Sequence, residues 1–267
     1  MRPLRTLLLT ACCLLPATVP ALAGNDDESR FGQSTASEAA LIGVLYDLKQ
    51  TQDRRSTSVD PESYSAVLDE FLSHGWDEAV LNRYYRVSKP LYTTQIFIPN
   101  MNADMAPRAF GAEGTVRPSR WVIHYKGQVS APEPGTYRFW GIADDVICAA
   151  INGKTVLMGN RRSCKTPIMS SIWKATGTDG IFEGDGNLVP GTWFTVKAGQ
   201  IVDLDVIIGE RPGGVFNAYL MIEKQGTAYP KEGNIIVPAI FQVAPYTTPK
   251  SGRDNYAPGY PVWKSYQ

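Results

Sequence analysis

Ser119–Met158 reads SRWVIHYKGQVSAPEPGTYRFWGIADDVICAAINGKTVLM, and its alternation decides the fold. Trp121, Ile123 and Tyr125 fall on one face and His124 and Lys126 on the other, the period of two of a half-buried strand. Pro132-Glu133-Pro134-Gly135 then turns the chain into a second such run, TYRFWGIA. Two further apolar runs, VICAAI and KTVLM, flank Asn152-Gly153. That dipeptide tolerates positive φ at both central positions of a two-residue hairpin.

The same period continues downstream. Val202, Leu204 and Val206 alternate with Asp203 and Asp205, and Phe216, Ala218, Leu220 and Ile222 alternate with Asn217, Tyr219 and Met221. Upstream, residues 40–48 have strand character, and the period then changes. Asp60 suits a helix N-cap with Pro61 at the first helical position. Tyr64, Val67, Leu68, Phe71 and Leu72 form one helical stripe ending at Gly75; Trp76, Val80, Leu81, Tyr84 and Tyr85 predict a second helix stopping before Pro90. Residues 159–191 are Gly-rich and polar, a long loop. The expected fold is mainly β, an antiparallel β-sandwich or barrel over 40–225 with a small helical insertion at 60–88. A flexible leader at 24–39 precedes it. Residues 226–267, rich in Pro and Tyr, are expected to be an extended tail, with IIVPAIFQV lying against the barrel.

Residues 1–23 carry Arg2, Arg5, an apolar stretch and Ala21-Leu22-Ala23, the pattern of a secretory signal peptide. Leu9–Cys12 offers a lipoprotein cleavage box as the alternative. The apolar run, broken by Pro16 and Pro20, is too short for a transmembrane helix. The whole chain has 26 basic and 26 acidic side chains, and removal of Arg2 and Arg5 leaves 24 against 26. Such a balance excludes nucleic-acid or anionic-membrane binding through bulk charge. An extracytoplasmic chain that keeps Cys148 and Cys164 is expected to join them in a disulfide, worth about 3 kcal/mol for so short a loop; a buried thiol at Cys148 is the other reading.

SRWVIHYKGQVSAPEPGTYRFWGIADDVICAAINGKTVLM resembles the domain type named after the anthrax protective antigen. VKAGQIVDLDVIIGERPGGVFNAYLMIEK resembles that family's closing strands, with their A-G turn and Gly-rich loop. The resemblance covers about 70 residues strongly. It implies a β-sandwich barrel serving as a binding module, commonly for carbohydrate. In sugar-binding members an Asp-Asp pair, joined by a cis peptide, holds a calcium ion that ligates sugar hydroxyls. Asp144 and Asp145 occupy that position. Those members add an asparagine from the loop after the penultimate strand. Here the loop reads IIGERPGGVF: Glu210 is nearest, and Asn217 reads as part of the next strand.

The resemblance therefore implies a ligand edge of Asp144, Asp145 and Glu210, with calcium as the cofactor and Asp144 and Asp145 as its carboxylates. The competing reading has Asp145 pinning a turn through backbone N–H groups while Asp144 is solvated. Asp179, Glu183, Asp185 and Asn187 form a second oxygen-rich loop without a full calcium-loop pattern. Trp173 is the candidate for sugar stacking; Trp140 and Trp193 are expected in core strands. No nucleophile elbow, zinc-protease or phosphate-loop motif occurs, so no enzyme is expected. The expected function is a secreted module binding glycan. The alternative is a structural protein of the cell envelope, with the helical insertion and the tail as protein contacts.

Overall fold

A computed structural model describes residues 28–160, 188–232, 235–245 and 261–266. Residues 1–23, read above as a signal peptide, together with Cys164, Trp173 and residues 179–187, lie outside the described residues. A 3-10 helix at Glu28–Phe31 comes first, then β1 (Leu41–Thr51), α1 (Pro61–Ser73), α2 (Glu78–Leu81), β2 (Tyr84–Arg86) and β3 (Leu91–Thr93). Next come β4 (Phe97–Asn102), α3 (Met105–Ala109), β5 (Trp121–Ser130), β6 (Gly135–Asp144), β7 (Val146–Ile151) and β8 (Lys154–Met158). β9 (Val189–Pro190), β10 (Phe194–Val196), β11 (Ile201–Glu210) and β12 (Val215–Lys224) follow. Four short strands close the series: β13 (Lys231–Glu232), β14 (Ile235–Ile236), β15 (Ala239–Ile240) and β16 (Lys264–Tyr266).

Two antiparallel sheets pack face to face. The larger runs β2-β1-β5-β11-β7-β8, with β3 beside β1 and β16 beside β5; the smaller runs β10-β6-β12-β15, with β4 beside β12 and β9 beside β6. The architecture is a sandwich, not a closed barrel. The alternating residues read from the sequence line its interior: Trp121, Ile123, Tyr125, Leu204, Val206 and Ile208 from one sheet meet Phe139, Phe216, Ala218 and Leu220 from the other. Asn152 and Gly153 have φ of 51° and 72°, as the two-residue hairpin between β7 and β8 requires.

Helix α1 covers the outer face of the larger sheet. Asp60 caps it, its side chain accepting from the Ser63 amide at 2.7 Å while Ser63 Oγ accepts from the Asp60 amide at 2.9 Å. Tyr64, Val67, Leu68, Phe71 and Leu72 pack with Val44, Tyr46, Val122, Cys148 and Ile207 of the sheet. The second helix is shorter than the sequence predicts. It ends at Leu81, because Tyr84 and Tyr85 are drawn into ladder bonds with β1 opposite Thr51 and Asp47.

Two flanking segments are more tightly held than their composition implies. Phe31, in the stretch expected to be a flexible leader, is fully buried against Trp121 and Phe216. One aromatic anchor in a polar segment is enough to order it, since burying such a ring contributes about 1.5–3 kcal/mol. Within 226–267, β15 pairs with Met221 and Ile222 of β12, while Phe241 and Trp263 enter the core. Prolines confine these pieces to short edge strands without preventing apolar burial.

Candidate ligand-binding rim

The β5–β11 ladder carries the chain to the rim. It runs from Ile201 opposite Ser130 to Glu210 opposite Trp121, and the chain then turns through the Arg211–Gly214 loop into β12. On the neighbouring sheet β6 ends at Asp144, and the chain crosses to β7 through Asp145. The Asp144–Asp145 peptide is cis.

The two aspartates have different surroundings. Asp145 is 1% exposed; its amide donates to Gly209 O at 3.2 Å, and its Oδ2 accepts from the Arg211 amide at 3.0 Å. It thus ties the crossover to the β11–β12 loop, the turn-pinning role that a short carboxylate can take. Asp144 is half-buried. Glu210 is buried, and its Oε1 accepts from the Gly213 amide at 2.7 Å, so this carboxylate shapes its own loop. Helix α1 supports the rim from behind. Tyr64 Oη donates to Trp121 O at 3.0 Å and fills the space where a Cβ on Gly209 would stand, so only glycine fits there.

Asn217, which the sequence places in a strand and outside the loop, is brought to the site by register. It lies in β12, directly opposite Asp144 of β6. Alternation puts both on the outer face of the smaller sheet, where opposed side chains stand about 4.5–5.5 Å apart at Cβ. Asn217 is fully buried; its Nδ2 donates to Asn100 Oδ1 at 2.7 Å, while its Oδ1 has no hydrogen-bond partner. An unsatisfied buried carbonyl costs about 1–3 kcal/mol unless something accepts its lone pairs. The sequence signal is the alternation with Phe216 and Ala218, which fixes the face; the strand partner is what sequence alone lacks.

Among the described residues no three His, Cys, Asp or Glu side chains gather as a metal cluster. The oxygen set at the rim is instead two carboxylates and one amide. Hard cations such as calcium accept that chemistry, with six to eight oxygens in all and water or ligand supplying the remainder.

Other candidates fall elsewhere. Trp140 is buried, as expected, but Trp193 is 39% exposed, which corrects its assignment to the core. It precedes β10, and Arg138 holds its ring in place: the guanidinium lies 4.4 Å from the Trp193 centroid and 4.9 Å from that of Trp140, and pairs with Glu223 at 2.5 Å. Arg138 sits six residues from Asp144 along β6, roughly 20 Å at strand spacing, so Trp193 does not extend the rim. Cys148 is buried under α1, and its Sγ donates to Asn160 Oδ1 at 3.3 Å. No disulfide occurs among the described residues, and the expected partner Cys164 lies outside them.

The class this architecture defines is a two-sheet antiparallel β-sandwich with a helical insertion on the outer face of the larger sheet. No family model matches the sequence, and no curated protein does. Among solved structures, the chain is similar to the PA14 domain of the MpAFP antifreeze protein, at 17% identity over 76% of this chain and 89% of that one, with a TM-score of 0.42. It is also similar to the PA14 sugar-binding domain of an RTX adhesin, at 15% identity, 72% and 93% coverage, and a TM-score of 0.35. A third is the epithelial adhesin 6 A domain of Candida glabrata, solved with Galb1-3GlcNAc, at 12% identity, 73% and 85% coverage, and a TM-score of 0.39. No described helix is long and apolar enough to cross a membrane.

Proposed function

We propose that this chain is a secreted, non-enzymatic carbohydrate-binding module that takes glycan at the rim bearing Asp144 and Asp145, through a calcium ion. The observation that carries this reading is the buried Asn217 Oδ1, without a hydrogen-bond partner and opposite Asp144. Asp144, Asp145 and Asn217 are the side chains that would hold the ion, and Glu210 keeps the adjoining loop in shape. When bound, calcium supplies the charge that offsets two adjacent carboxylates and open positions for vicinal sugar hydroxyls. Asp145 uses one oxygen on Arg211 and keeps acceptor capacity, since a carboxylate offers about four lone-pair sites.

Melting curves in calcium and in EDTA, followed by a glycan array in both, test this. A site filled at about 100 times its dissociation constant adds about 2.7 kcal/mol, and array binding should vanish in EDTA. Asp144→Ala and Asn217→Ala should each remove the calcium shift while keeping a cooperative transition. Identical melting in both buffers, with no glycan retained in either, would overturn the proposal. That outcome would leave Asp145 and Glu210 as loop-shaping carboxylates only, and the structural envelope protein as the reading to test next.

A further inference from the structure

The opposite end of the β5–β11 ladder holds a cavity that the rim does not explain. Helix α1 covers the outer face of the larger sheet only as far as His124, whose ring meets Phe71 and Trp76 at centroid distances of 5.4 and 6.2 Å. Beyond it, Lys126 and Gln128 of β5 and Asp203 and Asp205 of β11 project from the same face, opposed in register as Asp205 to Lys126 and Asp203 to Gln128. Trp76 and Glu78 of the insertion, Gly153 of the hairpin and Tyr266 of β16 border this patch, an open-sided cavity of about 500 Å³. Such a volume lies within the range of small-molecule sites. From Trp121 at the rim, Lys126 and Gln128 are five and seven strand residues away along β5, roughly 17–23 Å.

The polar groups of this patch are paired with one another. His124 Nε2 lies 2.8 Å from Asp205 Oδ1 and its Nδ1 3.8 Å from Glu78 Oε1. Lys126 pairs with Glu78, and Gln128 Nε2 donates to Asp203 Oδ1 at 2.9 Å. Tyr266 Oη and Ser130 Oγ are 3.1 Å apart, which holds the tyrosine ring at the cavity wall. The result is two neighbouring donor–acceptor couples, Lys126 with Glu78 and Gln128 with Asp203, beside an apolar wall of Ile42, Trp76 and Tyr266. A sugar ring presents that complement: vicinal hydroxyls that each donate and accept, and a C–H face. Three carboxylates against one ammonium also set a sign preference, because an added negative charge would be repelled.

We propose that this cavity is a second saccharide-binding site, independent of calcium, which takes a neutral or amino sugar residue and rejects a uronic acid. The inference does not rest on the rim reading, and its test separates the two. Glucose, glucosamine and glucuronic acid are titrated into the full chain in EDTA while the amide resonances are followed. Glucose and glucosamine should shift Gly127, Gln128, Asp203, Asp205 and Tyr266, and glucuronic acid should not. Asp203→Asn should weaken glucosamine about tenfold without changing the melting temperature. Asp144→Ala, which breaks the rim, should leave all these shifts intact. Absence of shifts at the cavity with both sugars, equal binding of glucuronic acid, or loss of the shifts in Asp144→Ala would overturn the proposal.

Discussion

At the Trp121–Glu210 end of the β5–β11 ladder, buried carboxylates organise the main chain: Asp145 accepts from the Arg211 amide and Glu210 from that of Gly213. At the Ser130–Ile201 end, Asp203 and Asp205 bond instead to side chains of β5, Gln128 and His124. What secures the chain at that end is apolar. Trp263, one residue before the Lys264–Ser130 pairing of β16, is 1% exposed and meets Tyr137 and Phe241 at 5.1 and 5.5 Å. A carboxylate spent on backbone amides is part of the loop's architecture, whereas one spent on a side chain leaves the backbone independent of it. Substitutions should therefore separate into those that cost stability and those that cost binding.

The largest effect is expected at the indole. Trp263→Ala should lower unfolding stability by about 3–5 kcal/mol, the usual cost of emptying a large aromatic site. Denaturant titration measures it. A loss below about 1 kcal/mol would mean that the C-terminal segment merely rests on the sandwich.

At the rim, Asp145→Ala should cost about 1–3 kcal/mol, since it leaves the Arg211 amide without its acceptor. Asp144→Ala should cost clearly less, because Asp144 is half-buried where Asp145 is almost wholly enclosed. The same titration compares the two. Equal losses would erase the distinction between an aspartate that pins the loop and one that does not.

Much of this was legible in the sequence, for a physical reason. Alternation reports which face a residue takes, so Trp121, Leu204 and Phe216 could be assigned to the interior, and Asn152-Gly153 fixed a hairpin. Alternation does not report which strand lies alongside. The Asn217–Asp144 opposition and the His124–Asp205 contact both join residues more than 70 positions apart, and only register brings them together. Tyr84 and Tyr85 fit a helical stripe and were won by β1, as tertiary pairing overrides a weak local preference. Phe31 and Trp263 were hidden by polar and proline-rich surroundings, which describe a segment's average and not its one anchor.

The smallest expected effect is a pH dependence at the cavity end. Burial acts to raise the Glu78 carboxyl, but the hydrogen bond and charge of Lys126, with His124 and Arg86 nearby, outweigh it and hold the group below its ordinary value of 4.5. A carboxyl depressed on folding stabilises the protein fully above the unfolded value, and that contribution fades as pH falls through the folded one. Glu78 joins α2 to β5 through Lys126, so the contribution belongs to the docking of the insertion. The stability difference between the parent chain and Glu78→Gln should therefore be present at neutral pH and shrink on acidification below about 4.5. Denaturant unfolding of both chains across that window measures it. A difference that stays constant with pH would show that Glu78 packs the cavity wall without its charge contributing, and the contrast between the two ends would then rest on Asp203 and Asp205 alone.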